Sequence, residues 1–138
     1  MSYLLDTNAC IAIINGRPET VRLGLEETIA AAAPVWMSSI VAFELWYGVV
    51  KSSRPEANAN RLNAFLGGPV MVLPFEPEDA QAAGTLRANL EAPGRPIGAY
   101  DLLIAGQALR RELTLVTANV SEFRRVKGLA WEDWAKPR

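Results

Sequence analysis

Four short apolar runs constrain the fold of this 138-residue chain more than any other feature. Each run is continuous, rather than alternating between apolar and polar residues. Such runs are typical of strands in a parallel sheet whose two faces are both covered by helices. The four predicted strands span Tyr3–Leu5, Val35–Met37, Val70–Leu73 and Leu113–Thr117.

Helical segments with recognisable boundaries lie between these runs. Pro77 fits the first position of a helix over 76–92. Ser38-Ser39 can cap a helix over 40–50. The segment 99–111 is apolar on nearly all sides, which predicts a buried helix.

The alternation of strand and helix predicts an α/β fold with a central, mostly parallel sheet flanked by helices. Neither a repeat nor a linker divides the chain, so we expect residues 1–138 to form a single domain. Trp131 and Trp134 are expected in a last edge strand or a docked tail.

Composition narrows the function classes. The formal net charge of −1 excludes a global basic field, so any nucleic-acid surface must be local. Cys10 is the single cysteine and stands in an apolar run, which predicts a packing role and suits a reducing compartment. The chain shows no signal-peptide pattern and no apolar run near the ~20 residues of a membrane span, so a cytoplasmic location is expected.

The chain contains no histidine. This removes Ser-His-Asp and Cys-His hydrolysis, histidine-pair ribonuclease chemistry and most zinc sites. Catalysis by this chain must therefore use carboxylates, a metal ion, or both.

Four polar residues are expected at the carboxyl edge of the predicted sheet, where parallel α/β proteins bind ligands. Asp6 directly follows the first strand, and Asn119 follows the strand over 113–117. Glu44 and Asp101 stand in the apolar stretches of two helices, where an unpaired carboxylate has a large desolvation cost.

Each of these residues also has a simpler interpretation. Asp101 in a first helical turn could interact with the helix dipole. Glu44 could face solvent on an amphipathic helix, and Asn119 could be a turn residue. We favour a shared site because carboxylates that converge at one edge repel one another unless a cation joins them.

The donor types indicate which cation this would be. Oxygen ligands without cysteine or histidine favour Mg²⁺ or Mn²⁺ over Zn²⁺. Such an ion can activate water and neutralise charge that develops on a phosphate, so metal-dependent phosphodiester hydrolysis is the predicted chemistry. Thr7, Asn8 and Thr117 are expected to support the ligands.

The ordered blocks of these motifs resemble the PIN domain and, more narrowly, the VapC toxins of bacterial VapBC toxin–antitoxin pairs. The likeness covers nearly the whole chain, including Glu122-Phe123, and its motifs are Leu5-Asp6-Thr7-Asn8, Phe43-Glu44-Leu45, Pro96 to Ala105 and Leu115 to Asn119. The resemblance implies a PIN-like three-layer α/β/α fold and cleavage of single-stranded or loop RNA with Mg²⁺ or Mn²⁺. It also implies Asp6, Glu44 and Asp101 as metal ligands, with Asn119 where the family commonly has aspartate.

The resemblance further implies a homodimer and a VapB-type antitoxin whose C-terminal segment lies in a groove of the toxin. Pro96 to Ala105 is similar to a subgroup that cuts transfer RNA in the anticodon region. Lys51, Arg54 and Arg95 are candidate phosphate contacts, or only solvated surface charges. Three aromatic residues could contact a partner, although we favour core positions for them: Trp36, Trp46 and Tyr47.

Two other functions remain open from the sequence. The absence of a fourth acid at Asn119 would suit a non-catalytic PIN-like module that binds RNA or a protein partner. A haloacid dehalogenase-type phosphatase also begins with an aspartate after a strand, but its chemistry needs a second aspartate two residues later, where Asn8 stands.

Overall fold

The computed structural model describes residues 1–136 and has one five-stranded sheet within that range. The strands are β1 (Tyr3–Leu5), β2 (Val35–Ser38), β3 (Met71–Leu73), β4 (Thr114–Val116) and β5 (Trp131–Glu132). The helices in the same range are α1 (Thr7–Asn15), α2 (Glu19–Ala30), α3 (Ser39–Lys51), α4 (Pro55–Leu66), α5 (Pro77–Glu91), α6 (Ala99–Arg110) and α7 (Val120–Phe123).

All neighbouring strands run parallel, in the order β3-β2-β1-β4-β5. The chain builds the sheet outward from β1 in one direction and then returns to add β4 on the other side of β1. The topological switch point therefore lies between β1 and β4, and crevices for ligands form at the carboxyl ends of strands at such a point. The predicted α/β fold with a parallel sheet is confirmed.

The predicted helix boundaries hold to within one or two residues, and the capping explains why. Ser38 is the N-cap of α3, and its hydroxyl accepts a hydrogen bond from the Ile40 N–H at 3.1 Å. Pro77 occupies the first turn of α5, as expected. The prediction that α6 is buried is also confirmed, because its Leu102, Ile104 and Ala105 belong to the core.

The helices α5 and α6 approach each other closely at Gly106. A Cβ atom at this position would lie only 2.7 Å from the Cα of Ala83, so a side chain there would push the two helices apart. This contact holds α6, and Asp101 in its first turn, against the rest of the domain.

The two edge strands of the sheet, β3 and β5, test what the apolar pattern predicted. The prediction that the run Val70–Leu73 is covered on both faces is wrong, because β3 is an edge strand whose Met71 and Val72 are 43% and 42% exposed. The prediction of a last edge strand is confirmed by β5, and Trp134 is buried against Gly24 of α2.

The core interpretation of Trp46 and Tyr47 is wrong. Their side chains are 37% and 57% exposed, since they project from the face of α3 that the sheet does not cover. Trp36 is partly buried and packs against the core, and Cys10 is fully buried as expected. None of the helices in residues 1–136 is long and apolar enough to cross a membrane.

Candidate active site

Asp6 lies at the switch point of the sheet. Its backbone N–H donates to the Val116 carbonyl at 3.1 Å, which continues the pairing of β1 with β4. Its side chain is the N-cap of α1, and Oδ1 accepts from the Ala9 N–H at 2.8 Å. Capping occupies one carboxylate oxygen and explains why the residue stands here, but does not explain a second acid beside it.

The carboxyl of Asp6 is only 3% exposed, and burial raises its pKa. Hydrogen bonds from the Thr117 hydroxyl and the Ala9 N–H lower the pKa, whereas the charges of Glu44 and Asp133 raise it further. Asp6 therefore lies in a negative environment that it shares with other acids.

Glu44 reaches the same region from α3. The Thr7 hydroxyl, one residue after Asp6, donates to Glu44 Oε1 at 2.7 Å. This hydrogen bond joins the beginning of α1 to the middle of α3. Thr7 therefore contacts one of the acids directly.

Asp101 is the third residue of α6. Burial, a hydrogen bond with Glu122 and the charges of Glu122, Asp6 and Glu44 together raise its pKa to about 7. A favourable helix dipole would lower the pKa of a carboxyl at this position. The neighbouring acids outweigh the dipole, so a simple dipole role does not account for Asp101.

Asn119 bridges the acids. Its side-chain Nδ2 donates to Glu122 Oε2 at 2.6 Å and makes a longer contact of 3.5 Å with Asp101 Oδ2. Its backbone N–H donates to the Thr117 hydroxyl at 2.9 Å, which fixes the turn after β4. The structure therefore brings Asp6, Glu44, Asp101 and Asn119 to one edge of the sheet.

Glu122 is a site residue that the sequence motifs alone did not single out. Its Oε1 accepts from the Gly98 N–H at 3.0 Å. The hydrogen bond with Asp101 is the largest cause that lowers the pKa of Glu122, and the same contact raises the pKa of Asp101. The sequence feature that could have identified Glu122 is its position three residues after Asn119 and next to Phe123, which is buried. This spacing places Asn119 and Glu122 on one turn of α7.

Within residues 1–136, the charge of Arg125 lowers the pKa of Glu122, but the three other acids at this edge form no ion pair. The ion pairs within residues 1–136 join Arg87 to Glu91, and Arg110 and Arg111 to Glu76 and Asp79. None of these pairs includes Asp6, Glu44 or Asp101. Such a concentration of negative charge favours either protonation of one carboxyl or a bound cation, and the raised pKa of Asp101 reflects it.

The donor set fits a hard divalent cation, since it consists of carboxylate, amide and hydroxyl oxygens. In the described residues, however, no three acidic side chains are close enough to form a ready-made metal cage. The carboxyls are within electrostatic range of one another, and the charges of Asp6 and Glu44 contribute to the raised pKa of Asp101.

We expect Asp101→Asn to stabilise the protein at pH 8 in the presence of a chelator, by about 1–2 kcal/mol. A carboxyl with a raised pKa destabilises the folded state above its unfolded pKa of 3.8, and this cost is complete above about pH 7. The difference from wild type should therefore shrink as the pH falls from 7 to 4. Thermal unfolding between pH 4 and 8 measures it.

Glu26→Gln is the matched control, because Glu26 is exposed on α2 and the substitution removes the same charge. Its unfolding temperature should equal that of wild type throughout. An Asp101→Asn protein no more stable than wild type at pH 8 would contradict the assignment of repulsion at this site.

The sequence profile of the PIN domain matches residues 3–129. The chain belongs to the PIN-domain family. Within this family it is similar to the ribonuclease VapC2 of Rickettsia felis, with 41% identity over 99% of this chain and 100% of that protein. A protein of Shigella flexneri named tRNA(fMet)-specific endonuclease VapC is 39% identical over 98% of this chain and 99% of its own length.

Solved structures give the same relationship. The VapBC2 complex of Rickettsia felis, bound to a DNA fragment from its promoter, aligns with a TM-score of 0.88 and 39% identity, over 96% of this chain and 98% of the matched chain. The PIN-domain protein described here is thus a ribonuclease of the VapC group. PIN-domain nucleases generally use a divalent metal.

Proposed function

We propose that this protein is a Mg²⁺-dependent endoribonuclease toxin of a type II toxin–antitoxin pair. The observation that carries the proposal is the convergence of four acids and Asn119 at the switch point of a parallel sheet, with no ion pair to Asp6, Glu44 or Asp101 among the described residues. A phosphodiester needs charge neutralisation and an activated water, and a divalent ion held by carboxylates supplies both.

The individual residues receive roles from their contacts. Asp6 and Asp101 would hold the metal, and Glu44 would ligate it or orient the attacking water through the oxygen that Thr7 leaves free. Asn119 would hold Asp101 and Glu122 at a fixed separation through its amide N–H groups. Glu122 would remain the hydrogen-bond partner of Asp101, and its carboxylate would add the negative charge that Asn119 lacks.

The carboxylate of Glu122 is relevant to the alternative of a non-catalytic binding module. An uncharged residue at 119 suggested a binding module that had lost one acid. Glu122 lies within hydrogen-bonding distance of Asn119 and places a carboxylate at the same part of the site. The number of acids at the edge is therefore no reason to prefer a binding module over a nuclease.

The names of the relatives support a proposal for the substrate and the partner. The Shigella flexneri protein is named for the initiator transfer RNA, so we propose a transfer RNA as the substrate of this protein. Relatives were solved as VapBC complexes, which supports a VapB-type antitoxin here. The proposal also includes a homodimeric toxin. A single domain acting in the cytoplasm, where transfer RNA resides, completes the proposal.

The deciding experiment is cleavage of purified transfer RNAs by the protein without its antitoxin. We expect no cleavage with EDTA, cleavage on addition of Mg²⁺ or Mn²⁺, and no rescue by Zn²⁺ in place of them. Calorimetric titration with Mg²⁺ should show binding at millimolar concentrations. Cleavage that proceeds equally well in EDTA would refute the metal mechanism, and Mg²⁺ binding without cleavage of any RNA would favour the binding module.

A further inference from the structure

Two exposed aromatic residues flank the acidic site. Phe43 directly precedes Glu44 in α3, and Tyr100 directly precedes Asp101 in α6. Their rings contact each other across the two helices, with centroids 5.7 Å apart and planes tilted by 52°. The side chains are nevertheless 55% and 47% exposed, so much of each ring remains open to solvent.

The position of this pair is more informative than its exposure. The charges of Glu44 and Asp101 act on each other, and the ring contact joins the same two helices one residue earlier in each. A strand of RNA with its phosphate at the acids would therefore bring a neighbouring base to the rings. The aromatic pair and two of the acids therefore stand on the same two helices, one residue apart in each.

The negative charge of the chain and of its acidic edge explains why RNA binding would need an uncharged contact. The chain has a net charge of −1, and the acids repel the phosphates that they must approach. Proteins with a basic groove obtain affinity from phosphate contacts, but this edge of the sheet has a concentration of acids instead. Stacking of bases on aromatic rings supplies affinity that does not depend on charge and tolerates any base.

We propose that Phe43 and Tyr100 form a stacking platform for an unpaired RNA base next to the phosphate that is cut. The inference rests on the proposed ribonuclease function and adds the residues that position the substrate. It also accounts for the preference for single-stranded or loop RNA that the resemblance implies, because a base within a duplex cannot present its face to a protein ring.

The rest of the α3 face provides a contrast. Tyr47 is one turn further along and 57% exposed, but the Lys51 ammonium group lies 5.4 Å from its ring centroid. Val50 is 74% exposed and offers no ring. A second copy of the chain that covered this whole face would involve Tyr47 and Val50 as much as Phe43, whereas a base held at the acids would depend on Phe43 and Tyr100.

The test measures RNA binding without cleavage, in an Asp6→Asn background. A short single-stranded oligoribonucleotide that contains 2-aminopurine reports stacking by quenching of its fluorescence. We expect the double variant Phe43→Leu/Tyr100→Leu to bind roughly tenfold more weakly and to lose the quenching. Tyr100→Phe keeps the ring and should retain both affinity and quenching.

Two controls separate the competing explanations. Trp131→Leu removes an aromatic that is 37% exposed on β5, at the edge of the sheet beyond β4, and should leave binding and quenching unchanged. Tyr47→Ala should likewise leave them unchanged, and light scattering should show the same oligomeric state as the parent protein.

Three results would overturn the stacking platform: unchanged affinity in the double leucine variant, quenching that persists without the rings, or equal loss in Tyr47→Ala together with a change of oligomeric state. The last would assign this face to a second copy. Failure of the metal-dependent cleavage would not affect these binding measurements, so the two proposals can fail separately.

Discussion

Replacing Asp6 by asparagine is expected to reduce RNA cleavage by about 10²–10⁴-fold while leaving the fold intact. The expectation follows from the two functions of this side chain. Asparagine retains an oxygen that can accept from the Ala9 N–H and is as good an N-cap as aspartate, so α1 keeps its beginning. It cannot supply the negative charge that a divalent cation needs.

Asp6→Asn isolates the loss of charge better than Asp6→Ala does. The alanine substitution would also remove the N-cap and lower the free energy of unfolding by about 0.5–2 kcal/mol. Cleavage rates should be measured with saturating Mg²⁺, beside thermal unfolding of the same samples. Glu26→Gln on α2 serves as the charge-matched control and should cut like wild type. A folded Asp6→Asn protein that cuts within a factor of about three of wild type would remove Asp6 from the chemistry and, with it, the metal site described above.

The parts of the fold that sequence reasoning predicted depend on local patterns. A short apolar run followed by Asp6 marks the end of β1, and Ser38 marks the beginning of α3, because capping uses residues adjacent in sequence. The convergence of Asp6 and Asn119 was also predictable, since parallel strands place their carboxyl ends at one edge.

The parts that it missed depend on contacts between distant residues. Glu122 belongs to the site because Phe123 is buried in the core and turns α7 toward Asp101 and Gly98. Tyr47 was misjudged because an apolar helix residue looks the same in sequence whether it faces the sheet or solvent. The role of Asp79 was not predictable from the sequence, because its partners stand 31 and 32 residues away at the end of α6.

Asp79 is the acid whose loss should most affect stability. Its side chain is fully buried, and it accepts from Arg110 Nε at 2.6 Å, from the Glu76 N–H at 2.8 Å and from Gln107 Nε2 at 3.2 Å. These bonds fasten the beginning of α5 to the end of α6. Asp79 has basic partners and lies at the opposite ends of these helices from Asp101, so its role is structural.

We expect Asp79→Asn to lower the free energy of unfolding by about 2–3 kcal/mol and the melting temperature by roughly 5–12 °C. Asparagine can still accept from Glu76, but it leaves the guanidinium groups of Arg110 and Arg111 without a buried counter-charge. These groups are 31% and 23% exposed, so partial hydration keeps the loss below that of a fully buried pair. Glu91→Gln, which breaks an exposed pair with Arg87, should cost less than about 0.5 kcal/mol.

The pH dependence of this difference distinguishes an ionic contribution from a packing defect. Burial by itself raises the pKa of Asp79, but the Glu76 N–H and the two arginines outweigh burial and lower the pKa below its ordinary 3.8. A carboxyl with a lowered pKa stabilises the folded state above its unfolded pKa, and this stabilisation disappears as the pH falls through the folded value. The difference in the free energy of unfolding between wild type and Asp79→Asn should therefore be constant from about pH 5 to 8 and become smaller below pH 4. A difference that persists unchanged in acid would mean that the variant has lost packing and not an ionic interaction.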